Sequence, residues 1–309
     1  MNVLSLFDGI SCGRLALDRA GIKYDNYYAS EIDKYAIKVA QHNYPDTIQL
    51  GDVALISGIS LPKIDLLIGG SPCQSFSSAG NRLGFEGKSG LFWEYIRIKN
   101  ECNPKYWLLE NVVMKKEWRN IITEQLGVEP ILINSKLVSA QNRERLYWTN
   151  IPNIEQPEDK NINLDDILED NDLNNPAAIR GRRLNKGTII GRRLNERGVR
   201  DDYNKNIPIT QCLEVRATNT NKSNCLTTVE KDNVLTTMPI GRHPDAFKNK
   251  LPFRYYTLTE YCRLQTVPEN YFGDIVSTSQ AKKMIGNGWT VDVIAHILKN
   301  IHNDEKNRT

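Results

Sequence analysis

Several features that would mark particular classes of protein are absent from this sequence. No apolar run approaches the roughly 18–20 residues that a membrane-spanning helix needs. The six cysteines form no CxxC pair and the four histidines are dispersed, so neither a zinc site nor a disulfide framework is predicted. The 40 basic and 37 acidic residues nearly balance, and the net charge of +3 identifies no partner. We therefore expect no metal, no membrane partner and a reducing, cytoplasmic location.

The first 150 residues have the alternating strand and helix pattern of an α/β fold. Short apolar strands separated by helices predict a mostly parallel sheet with helices on both faces. Ligands bind such sheets beyond the carboxyl ends of the strands, so the loops after Phe7, Glu31, Ile68 and Leu109 are candidate binding loops. The predicted strands are Val3–Phe7, Tyr27–Ser30, Ile64–Ile68, Tyr106–Leu109, Ile131–Leu137 and Leu146–Thr149, and the predicted helices are Gly13–Ala20, Lys34–His42, Leu91–Glu101 and Lys116–Leu126.

A second region interrupts this pattern from about Pro152. The chain becomes polar, and the near-repeat GRRLN occurs at 181–185 and 191–195 within a basic stretch. A charge run of this kind most often forms a solvated surface. Regular patterning resumes near Leu251, and Val291–Ile301 has the pattern of an amphipathic helix. We therefore predict a core domain of residues 1–152 and 252–309 and a smaller inserted domain of residues 153–251.

The segment FDGISCG, Phe7–Gly13, joins the first predicted strand to the first helix. Its glycines let backbone N–H groups approach a ligand, and a helix N-terminus favours negative charge. Glu31 follows the second strand, where a carboxylate can bind a ribose diol, and Asp52, further along the chain, can bind an adenine amino group. Each feature alone is typical of an ordinary turn. The three features together predict a nucleoside-type cofactor.

Three later motifs carry candidate catalytic side chains. Cys73 lies in GGSPCQSFSSAG, in a loop at a strand's carboxyl end where a nucleophile would be presented, although buried structural cysteines are commoner. Glu110, in LLENVV, ends another strand beside apolar residues and is a candidate acid. Arg143 and Arg145, in QNRERLYW, alternate on one side of an extended segment. Arginine pairs of this kind, taken alone, are most often surface ion pairs.

In this order, the segments resemble the DNA (cytosine-5)-methyltransferase family. FDGISCG resembles its cofactor motif, PCQ its nucleophile motif, ENV its acid motif and QNRER its arginine motif, while YTLTEYCRLQTVPE and IGNGWTVDVIAHI resemble its ninth and tenth motifs. The resemblance covers residues 1–150 and 255–300 and is to the bacterial or phage type, with motifs closest to the de novo methyltransferase lineage. It implies a Rossmann-like S-adenosylmethionine-dependent methyltransferase fold with an inserted target-recognition domain.

The resemblance also implies a reaction. The Cys73 thiolate would add to carbon 6 of a cytosine flipped out of duplex DNA, which makes carbon 5 nucleophilic toward the methyl group of S-adenosylmethionine. Glu110 would bind ring nitrogen 3 and the exocyclic amine. Arg145, together with Arg143, would bind the carbonyl oxygen or the nearby backbone. Loss of the carbon-5 proton releases Cys73, the cofactor product is S-adenosylhomocysteine, and no metal is required.

The resemblance assigns a set of residues to the cofactor. Ile32 stands where many members have an aromatic residue, and GNGWT differs from the commoner tenth motif, although its Trp289 resembles the de novo lineage. Neither departure removes a catalytic group. The implied cofactor-binding residues are Phe7, Asp8, Gly9, Ile10, Ser11, Gly13, Glu31, Ile32, Asp52, Val53, Pro72, Leu91, Asn287 and Trp289.

DNA recognition is implied for the inserted domain and the nucleophile loop. Arginines of the two GRR units are suited to binding phosphates, or to reading guanine through bidentate contacts worth about 1–3 kcal/mol each. The expected partners are double-stranded DNA of the nucleoid and, in a restriction–modification system, a cognate restriction endonuclease; we expect a monomer. The implied DNA-binding residues are Gln74, Ser75, Ser77, Gln141, Arg182, Arg183, Arg192 and Arg193.

Two alternative functions remain open from the sequence. A tRNA cytosine methyltransferase would share the core, but the Cys-Phe-Thr signature of that branch is not found and the insert is large for it. A non-catalytic regulator that binds the cofactor would also share the fold. The presence of Cys73, Glu110 and Arg145 weighs against this last alternative.

Overall fold

The computed structural model of the chain describes residues 1–72, 90–169, 185–197, 199–216 and 221–307. Most of the predicted site residues fall within these ranges and can be located in the fold. Six of them lie outside the described residues: Cys73, Gln74, Ser75, Ser77, Arg182 and Arg183.

The larger sheet of the described residues has seven strands. They are β1 (Asn2–Leu6), β2 (Asn26–Ser30), β3 (Ile48–Gln49), β4 (Leu66–Gly70), β5 (Tyr106–Val112), β6 (Ile131–Asn134) and β7 (Glu144–Thr149). Their order across the sheet is β3-β2-β1-β4-β5-β7-β6. Strands β1 to β5 are parallel, and β7 is antiparallel to both of its neighbours. The predicted α/β fold with a mostly parallel sheet is confirmed.

Helices cover both faces of this sheet. They are α1 (Cys12–Ala20), α2 (Lys34–Asn43), α3 (Leu91–Cys102), α4 (Lys116–Leu126), α5 (Leu258–Gln265), α6 (Thr278–Asn287) and α7 (Val291–Asn307). Successive residues of a strand point to opposite faces. Val3 therefore belongs to the apolar cluster of α1 and α7, whereas Leu4 belongs to the cluster of α3 and α4. Burial on both faces explains why the central strands are continuously apolar.

Local sequence signals set several helix ends. Helix α2 begins after Asp33, whose side chain accepts the backbone N–H of Tyr35 at 2.9 Å. Helix α1 ends at Gly21, where φ is 69°, a left-handed conformation that costs glycine little. Helix α5 begins with a capping box in which Thr257 and Glu260 satisfy each other's backbone N–H groups. No helix within the described ranges is both long enough and apolar enough to cross a membrane.

A second, antiparallel sheet is formed by the polar part of the chain. Its strands are β8 (Asn185–Arg193), β9 (Ile209–Val215), β10 (Val234–Thr236), β11 (Gly241–His243) and β12 (Phe253–Tyr255), in the order β11-β9-β8-β10-β12. Ile189, Leu213 and Val234 lie in its own small core. Leu226 and Leu235, by contrast, pack in the main cluster with α7. The chain thus leaves the α/β core and returns to it, and the boundaries proposed at residues 153 and 251 remain a prediction.

Three predicted strands end two or more residues away from the observed ones. The strand predicted at Tyr106–Leu109 continues to Val112, so Glu110 lies within β5. The strand predicted at Ile64–Ile68 is observed as Leu66–Gly70, so its carboxyl end lies closer to the nucleophile motif. The strand predicted at Ile131–Leu137 ends at Asn134, and a 3₁₀ turn follows. Asn134 causes this early end because its side chain accepts the N–H of Lys136 and closes the turn.

Candidate active site

A cavity of about 290 Å³ opens at the carboxyl ends of β1, β2, β4 and β5. This is the sheet edge at which ligand binding was predicted. Its walls combine the start, middle and end of the chain. The predicted site residues that line it are Phe7, Asp8, Gly9, Ile10, Glu31, Pro72, Glu110, Arg143, Arg145, Asn287 and Trp289.

The turn after β1 is held in an uncommon backbone conformation. Phe7, Gly9 and Ser11 have φ values of 58°, 60° and 61°. Asp8 is buried within the turn, where its carboxylate accepts the Tyr27 hydroxyl at 2.7 Å and also the Ser11 hydroxyl. Burial raises the pKa of Asp8, and these hydrogen bonds oppose the rise. A Cβ built at Gly9 meets no atom within 4 Å, so the turn presents open backbone to the cavity.

The carboxylate of Glu31 ties this turn to the end of β2. One oxygen accepts the N–H of Gly9 at 2.8 Å, and the other accepts the N–H groups of Ile32 and Asp33 at 2.7 and 2.8 Å. Two carboxylate oxygens offer about four acceptor positions. The three N–H groups occupy three of these positions, so Glu31 keeps one for a hydroxyl of a ligand in the cavity.

Glu110 stands at the opposite end of the same cavity, near the end of β5. Its Oε1 lies 3.0 Å from Arg145 Nε, and its Oε2 accepts the indole N–H of Trp289 at 3.0 Å. Glu110 and Arg145 are largely buried, with side-chain exposures of 11% and 14%. Burial is the largest single influence and opposes the charge on Arg145, but Glu110, Cys225 and Tyr147 together outweigh it and raise the pKa of the guanidinium. The pair thus presents a carboxylate and a guanidinium side by side.

Cys225 joins this group from the inserted region and was not predicted. Its Sγ lies 3.3 Å from Arg143 Nη1 and 3.7 Å from Arg145 Nη2. Burial acts to raise the pKa of the Cys225 thiol, but the two arginines outweigh burial and lower it. No motif in the sequence signalled this contact, because Cys225 is separated from Arg145 by 80 positions.

Arg143 and Gln141 are occupied by backbone partners. Arg143 donates to the carbonyl oxygens of Leu226 at 3.1 Å and Gly288 at 2.9 Å, so it joins the insert to the C-terminal segment. Gln141 is fully buried, donates to the Leu264 carbonyl at 3.0 Å and accepts the Leu226 N–H at 2.8 Å. This burial argues against the predicted contact between Gln141 and DNA.

The sequence as a whole places the chain among known proteins. Residues 1–303 match the family described as C-5 cytosine-specific DNA methylase. The chain belongs to this family.

Similar proteins come from phages and bacteria. The chain is 43% identical over 161 residues to the orphan methyltransferase M.SPRI of Bacillus phage SPR, a match covering 48% of this chain and 37% of that protein. It is 32% identical over 322 residues to the type II methyltransferase M1.ScrFI of Lactococcus lactis subsp. cremoris, a match covering 96% of this chain and 77% of that one. The chain thus matches little more than a third of the phage protein's length.

Solved structures of low sequence identity share the fold. The S. pombe Dnmt2 methyltransferase has a TM-score of 0.65 at 18% identity and covers 99% of both chains. The Entamoeba histolytica methyltransferase EhMeth has a TM-score of 0.66 at 17% identity, covering 99% of this chain and 98% of that one. At these identities the likeness concerns the fold alone.

Some predicted cofactor residues stand back from the cavity wall. Gly13 lies behind the turn, where a Cβ would come within 2.4 Å of Ile68 Cδ1, so a larger residue would have to displace the Ile68 side chain. Asp52 caps a 3₁₀ turn by accepting the N–H of Ala54 at 3.0 Å, and Ile32 is 73% exposed. The predicted cofactor residues that do not line the cavity formed by the described residues are Ser11, Gly13, Ile32, Asp52, Val53 and Leu91.

The arginines predicted to bind DNA are engaged within the second sheet. Arg192 is 9% exposed, and its guanidinium binds Glu214 at 2.8 Å and Asp202 at 3.4 Å. Arg193 donates to the carbonyl oxygens of Ile207 and Asp202. A guanidinium that reads guanine must present two free N–H groups to the groove. These contacts therefore favour a structural role for Arg192.

Proposed function

We propose that this protein is a DNA (cytosine-5)-methyltransferase that transfers a methyl group from S-adenosylmethionine to carbon 5 of a cytosine flipped out of duplex DNA. The observation that carries the proposal is the Glu110–Arg145 pair, at 3.0 Å, in the same cavity as Glu31 and the turn at Phe7. Family membership supports it.

The cofactor fits the end of the cavity at β1 and β2. Glu31 has acceptor capacity for a ribose hydroxyl, the open backbone at Gly9 admits a ligand, and Phe7 supplies an apolar surface for a base. When bound, S-adenosylmethionine supplies a methyl group on a positively charged sulfur. No metal has a role in the proposed reaction.

The cytosine fits the end of the cavity at β5. Glu110 binds the edge that carries ring nitrogen 3 and the amine, and Arg145 binds the carbonyl oxygen. The Cys73 thiolate, which follows Pro72 in the sequence, adds to carbon 6 and places electron density on carbon 5. After methylation, the carbon-5 proton leaves, the carbon–sulfur bond breaks and Cys73 is regenerated.

The expected substrate is a specific duplex sequence, and the enzyme would serve a restriction–modification system or the protection of phage or host DNA. The relatives named as type II and orphan phage methyltransferases support this role. Extruding the base costs a few kcal/mol, which contacts to the duplex must offset. We also propose a cytoplasmic, nucleoid-associated monomer, with a cognate endonuclease where one is encoded.

Expression in a host without cytosine methylation, followed by bisulfite sequencing, tests the function and reads the target sequence. We expect 5-methylcytosine at one sequence, and none with Cys73→Ser. Purified protein is assayed in parallel on duplex DNA and on tRNA. Transfer to tRNA alone would replace the proposal with an RNA activity, and cofactor binding without transfer to either would indicate a regulator.

A further inference from the structure

The Glu110 carboxylate is held from two sides by elements far apart in the sequence. Arg145 reaches Oε1 from the neighbouring strand β7, and Trp289 reaches Oε2 from the segment between α6 and α7, 179 positions away. Both distances are 3.0 Å. Each oxygen thus has one fixed donor and keeps acceptor capacity for a ligand in the cavity.

The indole of Trp289 also touches the cofactor side of the site. A Cβ at Gly70 would lie 2.8 Å from its Nε1, and a Cβ at Gly13 would lie 3.3 Å from its Cζ3. The ring therefore lies against the backbone at the end of β4 and the start of α1. It lines the cavity together with Phe7 and Glu31. One side chain thus extends from the cofactor turn to the carboxylate.

The backbone beside Trp289 is anchored on both sides. The Gly288 carbonyl accepts from Arg143 at 2.9 Å and from Gln265 at 3.0 Å. The Thr290 hydroxyl donates to Gln265 Oε1 at 2.7 Å. Because these contacts fix the main chain, the indole has a defined position from which to orient Glu110.

We propose that Trp289 is a positioning residue whose indole N–H holds the Glu110 carboxylate in the orientation that receives the cytosine edge. This inference rests on the proposed function. It differs from the cofactor contact implied by the sequence motif, because it concerns the hydrogen bond and not only the packing surface of the ring. A hydrogen bond to a charged group is among the stronger single contacts in proteins.

The kinetic test separates the N–H from the ring. Trp289→Phe removes both the N–H and part of the ring, whereas site-specific 3-benzothienylalanine at position 289 keeps the two-ring shape and removes only the N–H. We expect kcat on duplex DNA to fall about tenfold with both, since that is the effect of one charge-assisted hydrogen bond. The Kd of S-adenosylmethionine, measured by calorimetry, should stay within about twofold for benzothienylalanine.

The control for these variants is Trp93→Phe, which makes the same exchange at a tryptophan that is 41% exposed and does not line the cavity. It should leave kcat unchanged. A normal kcat with benzothienylalanine would overturn the proposal, because it would leave only a packing role. A wild type that methylates no DNA would instead remove the proposed function itself.

A second measurement does not depend on turnover. Among the indole N–H signals of the five tryptophans, the Trp289 signal is assigned by its loss in Trp289→Phe. We expect it to exchange slowly with water and to move when Glu110 is changed to Gln. Fast exchange, or no response to that change, would contradict the contact between Trp289 and Glu110.

Discussion

At the scale of single residues, the paired charges of Glu110 and Arg145 make an isosteric change informative. Glu110→Gln keeps the size of the side chain but leaves Arg145 without its charged partner at 3.0 Å. We expect methyl transfer to fall by about a hundred- to ten-thousand-fold, the range for a lost acid–base group. The midpoint of urea unfolding should also fall, because an uncompensated charge remains largely buried.

The control for this change is Glu117→Gln on the exposed side of α4. It removes the same charge from solvent and should leave kcat unchanged. The unfolding midpoint should fall only slightly, because Glu117 loses no more than its interaction with the N-terminal end of α4. A Glu110→Gln protein with wild-type kcat would exclude Glu110 from the reaction.

The Cys225 thiol should react faster than those of Cys12 and Cys262. Arg143 and Arg145 lower its pKa against the effect of burial, whereas burial raises the pKa of Cys12 and Cys262 to about 12. The thiolate is the reactive form, so at pH 7–8 we expect iodoacetamide to label Cys225 well before the other two. Peptide mass spectrometry over time measures the order.

Arg145→Ala provides the matched variant for this prediction. It removes one of the two positive charges near the sulfur and should slow the labelling of Cys225 without changing that of Cys12. Equal rates for Cys225 and Cys12 in the wild type would contradict the charge argument.

The sequence could identify Glu110, Arg145 and Trp289 as site residues, but it could not predict the contact between Trp289 and Glu110 or the presence of Cys225. Glu110 and Arg145 lie near strand ends within ordered motifs, so their chemistry is visible along the chain. Trp289 contacts the Glu110 carboxylate from 179 positions away, and Cys225 contacts the Arg145 guanidinium from 80 positions away. Such contacts depend on how the insert and the C-terminal segment pack, and no local pattern encodes that.

At the scale of elements, the larger sheet was predictable and the second was not. Strands β1, β4 and β5 are buried on both faces and therefore read as apolar runs. Strand β8 contains Gly187 and Gly191, where a Cβ would come within 2.8 Å of Leu213 and Ile209. The two glycines lie where neighbouring side chains pack closely. Because they carry no side chain, they interrupt the alternation of apolar and polar residues by which strands are recognised. The second GRRLN unit begins inside this strand, and Arg192 and Arg193 therefore form hydrogen bonds with other groups of the inserted region.

The β8–β9 pair contains an ion pair whose effect depends on pH. The hydrogen bond from Arg192 is the main cause that lowers the pKa of Glu214 from 4.5 to about 2. A carboxyl group with a depressed folded pKa stabilises the fold above its unfolded pKa, and that stability is lost as pH falls through the folded value. We expect wild-type Tm to fall more steeply than that of Glu214→Gln between pH 4.5 and 2.

Arg192→Ala should lower Tm at pH 7 and reduce the same acid dependence, because it deletes the main partner of Glu214 and leaves only Arg216 and Arg242. Arg216, whose side chain is 77% exposed, is the matched control, and its change to Ala should have little effect. If Arg192→Ala instead kept the wild-type Tm and relaxed the DNA target, the arginine would read the base, as the sequence suggested.

At the scale of the whole molecule, cofactor binding should stabilise both sheets together. The cavity joins Phe7, Glu110 and Trp289 from distant parts of the chain, and Leu226 and Leu235 of the insert pack in the main apolar cluster. We therefore expect a single calorimetric transition. S-adenosylhomocysteine at a hundred times its Kd contributes about 2.7 kcal/mol and should raise Tm by several degrees.

Glu31→Ala should reduce this shift, because it removes the carboxylate at the cofactor end of the cavity, whereas Glu196→Gln, exposed after β8, should retain it. Two transitions, of which only one responds to the ligand, would show that the second sheet unfolds by itself. In that case the contacts of Leu226 and Leu235 would be too weak to couple the insert to the core.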